Sequence, residues 1–357
     1  MTFTLKLKGT VRALTDLSMT LPNAPHTSGR PKPVPRMFVM EGGAPVERLY
    51  MNAGTFRGSL RDAAFRLVRD DLQARNGGEP ILTLSDTLLM AKGGVKSEGK
   101  ESYSPTLQNT IRANNPHLSL FGASEPWIKG RLSVSHLVSN VSPEHVNRHS
   151  GVRKKLNASH LEALPAQELS EYLTEDRLNN QRSVLKREKE QLEEEIKKKS
   201  AKVDGVTVSL EPAEVKARES RLTEVVNEIK EISAQTKSTV SMLMPLEGYE
   251  AIPQGAEMTS EITIQYTNEI EVGLFLLALE KFAIEEGTLG GHIAHGLGRV
   301  SGQWAVTRID GTAVTKLSDA VTFVAHESFS VPSELAPYME SAREWLQAAD
   351  VEKMRVA

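Results

Sequence analysis

Cysteine is absent from the 357-residue chain, so disulfides and thiolate metal sites are excluded. No apolar run nears the roughly 18 residues that a membrane-spanning helix needs, and the opening residues MTFTLKLKG have a strand pattern without signal-peptide character. We therefore expect no membrane partner and a cytoplasmic location. Hydrophobic residues make up 39% of the sequence, enough for a real core in one large or two modest domains.

Familiar catalytic motifs are also missing. The sequence has no P-loop, no G-x-S-x-G elbow and no dinucleotide fingerprint, since its glycine-dense segment precedes a strand whereas those motifs open a helix. Two histidine pairs, His145 with His149 and His292 with His295, lack a further ligand at useful spacing. Solvated side chains are therefore favoured over a metal site. We predict no catalytic residue, no metal and no cofactor.

Charge is distributed unevenly along the chain, although the formal net charge is only −3. Lys and Arg outnumber Asp and Glu by 22 to 13 in residues 1–166, whereas the acids prevail by 16 to 14 in residues 167–237 and by 17 to 7 in residues 238–357. A basic region is the footprint of a phosphate-backbone binder, and an acidic one can meet the basic face of another copy or another subunit. Charge spread over a solvated surface explains these numbers equally well.

The glycine-dense segment, residues 287–300, reads GTLGGHIAHGLGRV. It lies between an apolar helical pattern at 271–282 and an apolar strand pattern at 299–307. Glycine at this density is typical of backbone that adopts positive φ or approaches a partner closely. We call this segment the Gly-rich turn and expect it to make a binding contact. Its glycines are Gly287, Gly290, Gly291, Gly296 and Gly298.

A proline-rich excursion without periodicity covers residues 17–49. Four side chains that are basic or imidazole cluster within it without an acid among them: His26, Arg30, Lys32 and Arg36. Long loops without their own structure are usually functional or disordered, so the charge suggests a flexible arm toward nucleic acid. A solvated proline-rich loop is the alternative.

A helix is predicted over residues 57–75, capped by Thr55 or Ser59. Arg57 and Arg61 lie one turn apart at its start. Free backbone N–H groups, the helix dipole and two guanidinium groups together form an anion site suited to phosphate. The alternative is that the two arginines pair with acids such as Asp62 or Glu41.

The remaining segments complete an α+β arrangement. Residues 77–130 are rich in Gly, Ser and Pro and predict an irregular lobe; residues 131–138 alternate as a strand; residues 161–237 predict an inserted helical hairpin; and residues 331–357 predict a C-terminal helical tail. The core, residues 1–160 with 238–330, then has the order βαββαβ of ferredoxin-like and RNA-recognition folds. The base-stacking aromatic motif of such modules is missing from its strands, so binding must come from loops and helix ends.

Four pieces of the chain, in order, resemble the RAMP superfamily of CRISPR-associated proteins. They are TLKLKGTVRALT, NAGTFRGSLRDAAF, LFGASEPWIKGRLSVSHL, and EVGLFLLALEKFA with LGGHIAHGLGRV. The resemblance is to the Cas-seven-type effector backbone subunit, and the length and the Glu/Lys-rich insert make the type IV subunit the most similar.

This resemblance implies a non-catalytic subunit that oligomerises as a filament along a guide RNA and presents it to target nucleic acid, DNA rather than RNA, beside other effector subunits. Residues 17–49 would be the thumb, which reaches the neighbouring copy. The implied RNA contacts are Gly54, Arg57, Gly58 and Arg61 in the helix start, and Gly290, Gly291, His295, Gly296 and Gly298 in the Gly-rich turn. Further predicted RNA contacts are Arg30, Lys32 and Arg36, whose charge suggests an arm toward nucleic acid, and Arg299, which follows the last glycine of the turn.

Type III relatives carry an Asp in the thumb that is tied to target-RNA cleavage, whereas residues 17–49 contain only Glu41 and Glu47, and Asp16 closes the first strand. We therefore predict a scaffold without nuclease activity. A metal-dependent target-RNA endoribonuclease of the same family is the alternative. A structural assembly protein that binds no nucleic acid is a third hypothesis.

Overall fold

The structure of the chain is a computed structural model that describes residues 2–19, 31–94, 104–124, 127–152, 165–198, 200–203, 206–209, 211–235 and 245–355. The chain divides into two compact units, one formed by residues 1–149 and 247–357 and the other by residues 150–246. In the described residues, no helix is both long and apolar enough to cross a membrane.

The N-terminal part of the first unit mixes strands with helices. Its strands are β1 (Phe3–Ala13), β2 (Leu17–Ser18), β3 (Arg36–Glu41), β4 (Ala44–Met51), β5 (Ala123–Ser124), β6 (Trp127–Ile128), β7 (Leu132–Val134), β8 (Leu137–Ser139) and β9 (Asn147–Val152). Its helices are α1 (Ala53–Arg75), α2 (Leu84–Lys92), α3 (Pro105–Asn114) and α4 (Pro116–Phe121).

The second unit contains two long helices joined by a hairpin: α5 (Ala166–Lys198), β10 (Ser200–Val203), β11 (Val206–Ser209) and α6 (Pro212–Gln235). Ion pairs link the helices, with Arg218 2.8 Å from Glu195 and Arg221 2.8 Å from Glu188. These helices lie within the segment for which the sequence predicts a helical hairpin.

The C-terminal part returns to the first unit. It contains β12 (Pro245–Ile252), β13 (Glu257–Thr267), α7 (Glu269–Lys281), β14 (Val300–Asp310), β15 (Ala313–Val324), β16 (Ser328–Ser330), α8 (Ala336–Ala348) and α9 (Val351–Met354). A single π-helical turn, Phe282–Glu286, follows α7 and leads into the Gly-rich turn.

The fold is α+β with a largely antiparallel sheet. Strands follow the order β16-β15-β14-β1-β13-β8-β4-β3, and β7 also pairs with β13. The period-2 pattern of β1 buries alternate residues such as Leu5 and Leu7, as predicted for a strand with one face on the core. Helix α7 is buried along most of its length. The fully buried Trp304 of β14 donates its indole N–H to Ser260 Oγ at 3.0 Å.

Two regions are more regular than the sequence patterns predict. Residues 17–49, expected as an extended loop, include the β3–β4 hairpin, whose turn residues Gly42 and Gly43 both have positive φ, the geometry of a two-residue hairpin turn. The upstream prolines obscured this hairpin. Residues 77–130, expected as irregular, contain α2, α3 and α4. Their N-caps are Thr83, Ser104 and Asn115. Some of the polar residues that predicted a loop are therefore residues that start helices.

Candidate nucleic-acid interface

The Gly-rich turn packs against the segment that follows β1. The Gly291 N–H donates to the Ser18 carbonyl at 2.8 Å, and the Gly298 N–H donates to the Asp16 carbonyl at 2.9 Å. Both bonds join backbone atoms nearly three hundred positions apart in the chain. They hold the turn beside the end of the first strand.

The glycines of the turn fall into two groups. A Cβ on Gly290 (φ +90°) would lie 2.3 Å from the Ser18 oxygen, and one on Gly298 (φ +96°) would meet backbone oxygen at 2.8 Å. These two glycines therefore serve the protein's own packing. Gly291 and Gly296 are exposed, and a Cβ on Gly296 would meet nothing within 4 Å. Their backbone is the part of the turn that a ligand can approach.

The same segment also contacts the start of α1. Thr55 Oγ1 donates to the Met19 sulfur at 3.3 Å. On the other side, the Met51 methyl group would lie 3.8 Å from a Cβ on Gly290. Residues 18 and 19 therefore lie between the Gly-rich turn and the first turn of α1. The two regions expected to contact RNA are therefore linked through these two residues.

The N-terminus of α1 is already capped by protein groups. Asn52, rather than Thr55 or Ser59, is the N-cap, and its side chain accepts the Gly54 N–H at 2.8 Å. The Ala53 N–H donates to His136 Nδ1 at 3.0 Å. The predicted set of free backbone donors is therefore already used within the protein. Gly54 and Gly58 remain exposed, one helical turn apart.

Arg61 does not face solvent, which differs from the expected phosphate contact. The residue is 9% exposed, its Nε donates to the Met90 carbonyl at 2.8 Å, and its Nη2 donates to the Gly122 carbonyl. Met90 is near the end of α2 and Gly122 follows α4, and helix C-termini attract cations. Burial, followed by the nearby charge of Arg57, lowers the pKa of Arg61 to about 10.

Arg57 is held in the same way. Its Nη2 donates to the Phe121 carbonyl at 2.6 Å and its Nε to the Leu132 carbonyl at 3.4 Å. Burial lowers the pKa of its guanidinium. Both arginines thus attach α1 to the lobe that follows it. These contacts give both arginines a structural role.

The expected alternative partners are engaged elsewhere. Asp62 pairs with Arg66 at 3.1 Å, and Glu41 pairs with Arg48. Hydrogen bonds from a guanidinium group to backbone carbonyl oxygens cannot be predicted from local sequence, because every residue has a carbonyl group.

Arg36 of the predicted thumb and Arg148, which lies outside it, both approach the buried Glu250. Arg36 Nη2 lies 3.0 Å from Glu250, which also accepts the Val34 N–H at 3.3 Å, and Arg148 lies 3.9 Å from the same carboxylate. Arg36 and Arg148 also line a cleft of about 980 Å³. Lys32 is exposed. Arg30 and His26 lie outside the described residues.

Two further predicted residues lie at the end of the Gly-rich turn. His295 is exposed. Arg299 donates through Nη2 to the Ala325 carbonyl at 3.4 Å and lies 3.5 Å from Glu327. Arg299 is therefore partly occupied by its own chain, whereas His295 presents its ring to solvent.

Asp16 fastens three segments together. Its Oδ2 accepts from Asn147 at 2.8 Å and lies 2.7 Å from His149 Nε2, and its Oδ1 accepts the Gln254 N–H at 2.7 Å. Burial raises the Asp16 pKa, but these hydrogen bonds outweigh burial and lower it below the usual range. The carboxylate is thus ionised and engaged by protein donors.

Four rings form a column beside this carboxylate. The ring of His149 lies 5.3 Å from that of Tyr249 at an interplanar angle of 14°, and the ring of Tyr249 lies 3.8 Å from that of His292 at 7°. His295 continues the column 5.7 Å from His292, tilted by 40°. The sequence patterns indicated His295 as an RNA contact and weighed both histidine pairs as metal ligands, but they gave no role to Tyr249. No local signal links residues a hundred positions apart.

A metal centre is not formed by the residues that the structure describes. No group of three or more His, Asp or Glu side chains among them could hold an ion. Glu47, the other acid of the proposed thumb, lines the cleft beside Arg36.

Comparisons with known proteins identify solved structures but no sequence family. No family model matches the chain, and no curated protein matches it. The chain is similar to one in a structure described as a Type IV-B CRISPR complex, with 16% identity, a TM-score of 0.38, and coverage of 88% of this chain and 94% of that one. It is also similar to Csc2 of Thermofilum pendens, with 12% identity, a TM-score of 0.36, and coverage of 99% and 80%.

Proposed function

We propose that this chain is a non-catalytic backbone subunit of a CRISPR effector ribonucleoprotein. It binds guide RNA through phosphates, irrespective of base sequence, and assembles with further copies of itself in a filament that presents the guide to target DNA beside other subunits. The order β1, α1, β7 with β8, β13, α7, β14 supports a ferredoxin-like core. Residues 17–49 supply the thumb, and 161–237 form an insertion into that core.

One observation carries this proposal: the Gly-rich turn and the start of α1 meet across residues 18 and 19. Gly54 and Gly58 of α1 and Gly291 and Gly296 of the turn are exposed, and we infer that their backbone forms one surface around this contact. Backbone without side chains allows close approach of a phosphate chain of any sequence. The excess of cations in residues 1–166 provides the attraction.

The contact set differs from the one that the family motif implies. Arg57 and Arg61 support the site structurally, because their guanidinium N–H groups donate to carbonyl oxygens of the neighbouring lobe. Exposed Lys32 and the backbone of the four glycines are the phosphate contacts that this proposal assigns. Such contacts recognise the geometry of RNA and leave sequence to base pairing.

RNA binding is tested with the full chain, freed of co-purifying nucleic acid, and labelled single-stranded RNAs of unrelated sequence. We expect similar affinities for all of them and a linear fall of log K with log salt. Incubation with magnesium or manganese should leave the RNAs intact. Absence of binding at low salt would reject the proposal, and cleavage would favour the ribonuclease.

The proposed RNA-binding surface is tested by placing a negative charge on α1. A glutamate at Gly58 meets no neighbour, since a Cβ there has nothing within 4 Å, and helix propensity should rise. Gly58→Glu should weaken RNA binding about three- to tenfold by repulsion of phosphate. Ala74→Glu is the matched control, exposed on the same helix about 24 Å away. Equal effects of the two variants would place RNA elsewhere.

A further inference from the structure

The column of His149, Tyr249, His292 and His295 is built from three separate parts of the chain. His149 belongs to β9, Tyr249 belongs to β12, and the other two belong to the Gly-rich turn. Tyr249, in the middle of the column, is 6% exposed, whereas His149 at one end is partly exposed and His295 at the other end is exposed. Its outer end therefore presents ring surface to solvent.

Several contacts fix the column in place. His149 is anchored by Asp16 at 2.7 Å, and Asp16 is itself held by Asn147 and Gln254. The Tyr249 ring is held between two imidazoles at small interplanar angles. A fixed ring stack loses little conformational entropy when a further flat group joins it.

The backbone at His292 is unusual. Its φ of +59° lies in the left-handed region, which most side chains avoid. Glycine would adopt this backbone conformation without strain, and glycine is frequent in this segment. The position nevertheless carries a histidine, whose ring lies 3.8 Å from that of Tyr249. Strain of this kind at a surface turn points toward a functional use of the side chain.

A cation lies next to the column. Lys32 pairs with Tyr249 in an isolated parallel bridge, the Lys32 N–H donates to the Gly248 carbonyl at 2.7 Å, and the Lys32 carbonyl accepts the Glu250 N–H at 2.8 Å. Burial, followed by the charges of His295, His149 and Lys32, lowers the pKa of His292. His292 thus offers a neutral ring face near a positive side chain, the combination that suits a base and its adjoining phosphate.

We infer that the His292–His295 end of this column stacks an unpaired nucleobase of the bound RNA while Lys32 contacts a neighbouring phosphate. The inference rests on the proposed function and adds a base contact to the phosphate contacts. Stacking on a ring face tolerates any base, so it agrees with binding that ignores sequence. It favours single strands over duplexes, because paired bases have no free face.

The test compares three ligands: single-stranded RNA, the same strand with abasic positions, and duplex RNA. His295→Ala should weaken binding of the single strand about 5- to 100-fold and leave the abasic strand, the salt dependence and the melting temperature unchanged. His295→Phe should restore affinity, because a ring returns. Tyr266→Ala is the matched control, an aromatic residue 71% exposed near Thr4, at the opposite end of β1 from Asp16.

The outcomes separate this inference from the proposed function. If the wild-type chain binds none of the ligands, both fail. If it binds intact and abasic strands equally and His295→Ala changes neither affinity, phosphate binding stands and the stacking site is rejected. If His295→Ala weakens self-association in place of RNA binding, the column docks a second protein copy, and the inference is wrong.

Discussion

Replacing Arg61 by Ala should destabilise the protein, although the motif resemblance makes this residue an RNA ligand. The guanidinium is buried and donates to two carbonyl oxygens, those of Met90 and Gly122. Hydrogen bonds from charged donors contribute about 1.5–3 kcal/mol each, and part of this offsets the desolvation of the cation. We expect Arg61→Ala to lower the free energy of unfolding by about 3 kcal/mol.

Chemical denaturation, followed by circular dichroism, measures this loss. Arg69→Ala is the control on the same helix, because Arg69 is exposed, pairs with the exposed Asp70 at 2.6 Å and lies 5.9 Å from the centre of the Phe65 ring. The loss of stability in this variant should be below about 1 kcal/mol. The reasoning is refuted if Arg61→Ala unfolds at the wild-type denaturant concentration but binds RNA less well, since that result would make Arg61 a phosphate ligand.

Two further predictions concern the turn and the interior. Gly290→Ala should lower the stability by at least about 2 kcal/mol, because both the positive φ of this residue and the Ser18 oxygen oppose a Cβ. Gly296→Ala should lower it by only about 1 kcal/mol, because Gly296 has a positive φ but open space around it. Equal losses in thermal denaturation would contradict the packing argument. Burial, followed by the charge of Arg61, lowers the pKa of His117 to about 3 from 6.5. As pH falls, His117 is therefore protonated in the unfolded chain before it is protonated in the folded chain. The contribution of neutral His117 to the folding stability is complete above pH 6.5 and decreases toward pH 3 by about 1.4 kcal/mol per pH unit. His117→Leu should flatten the decline of stability between pH 6.5 and 5, and an unchanged decline would show that His117 titrates normally.

Local patterns in the sequence predicted several of the secondary-structure elements. Alternation over residues 3–14 predicts the strand found at β1, and helical spacing over 57–75 predicts α1, which begins four residues earlier because Asn52 caps it. These signals work because each is set by neighbours within one or two turns of chain. The Gly-rich turn was also evident, since positive φ at several positions calls for glycine whatever surrounds them.

The roles of the site residues depended on contacts between distant segments. Arg57 and Arg61 look like phosphate ligands in sequence, and only the fold shows carbonyl oxygens at their guanidinium groups. The column formed by His149, Tyr249 and His292 likewise exists because the sheet and the turn bring their segments together. By itself, the sequence indicated strands such as β1, helices such as α1 and the positions of the glycines, but it did not indicate the β3–β4 hairpin or helices α2, α3 and α4. The tertiary structure decided which side chains face inward and which contact one another, because burial and pairing are properties of the packed chain and not of local spacing.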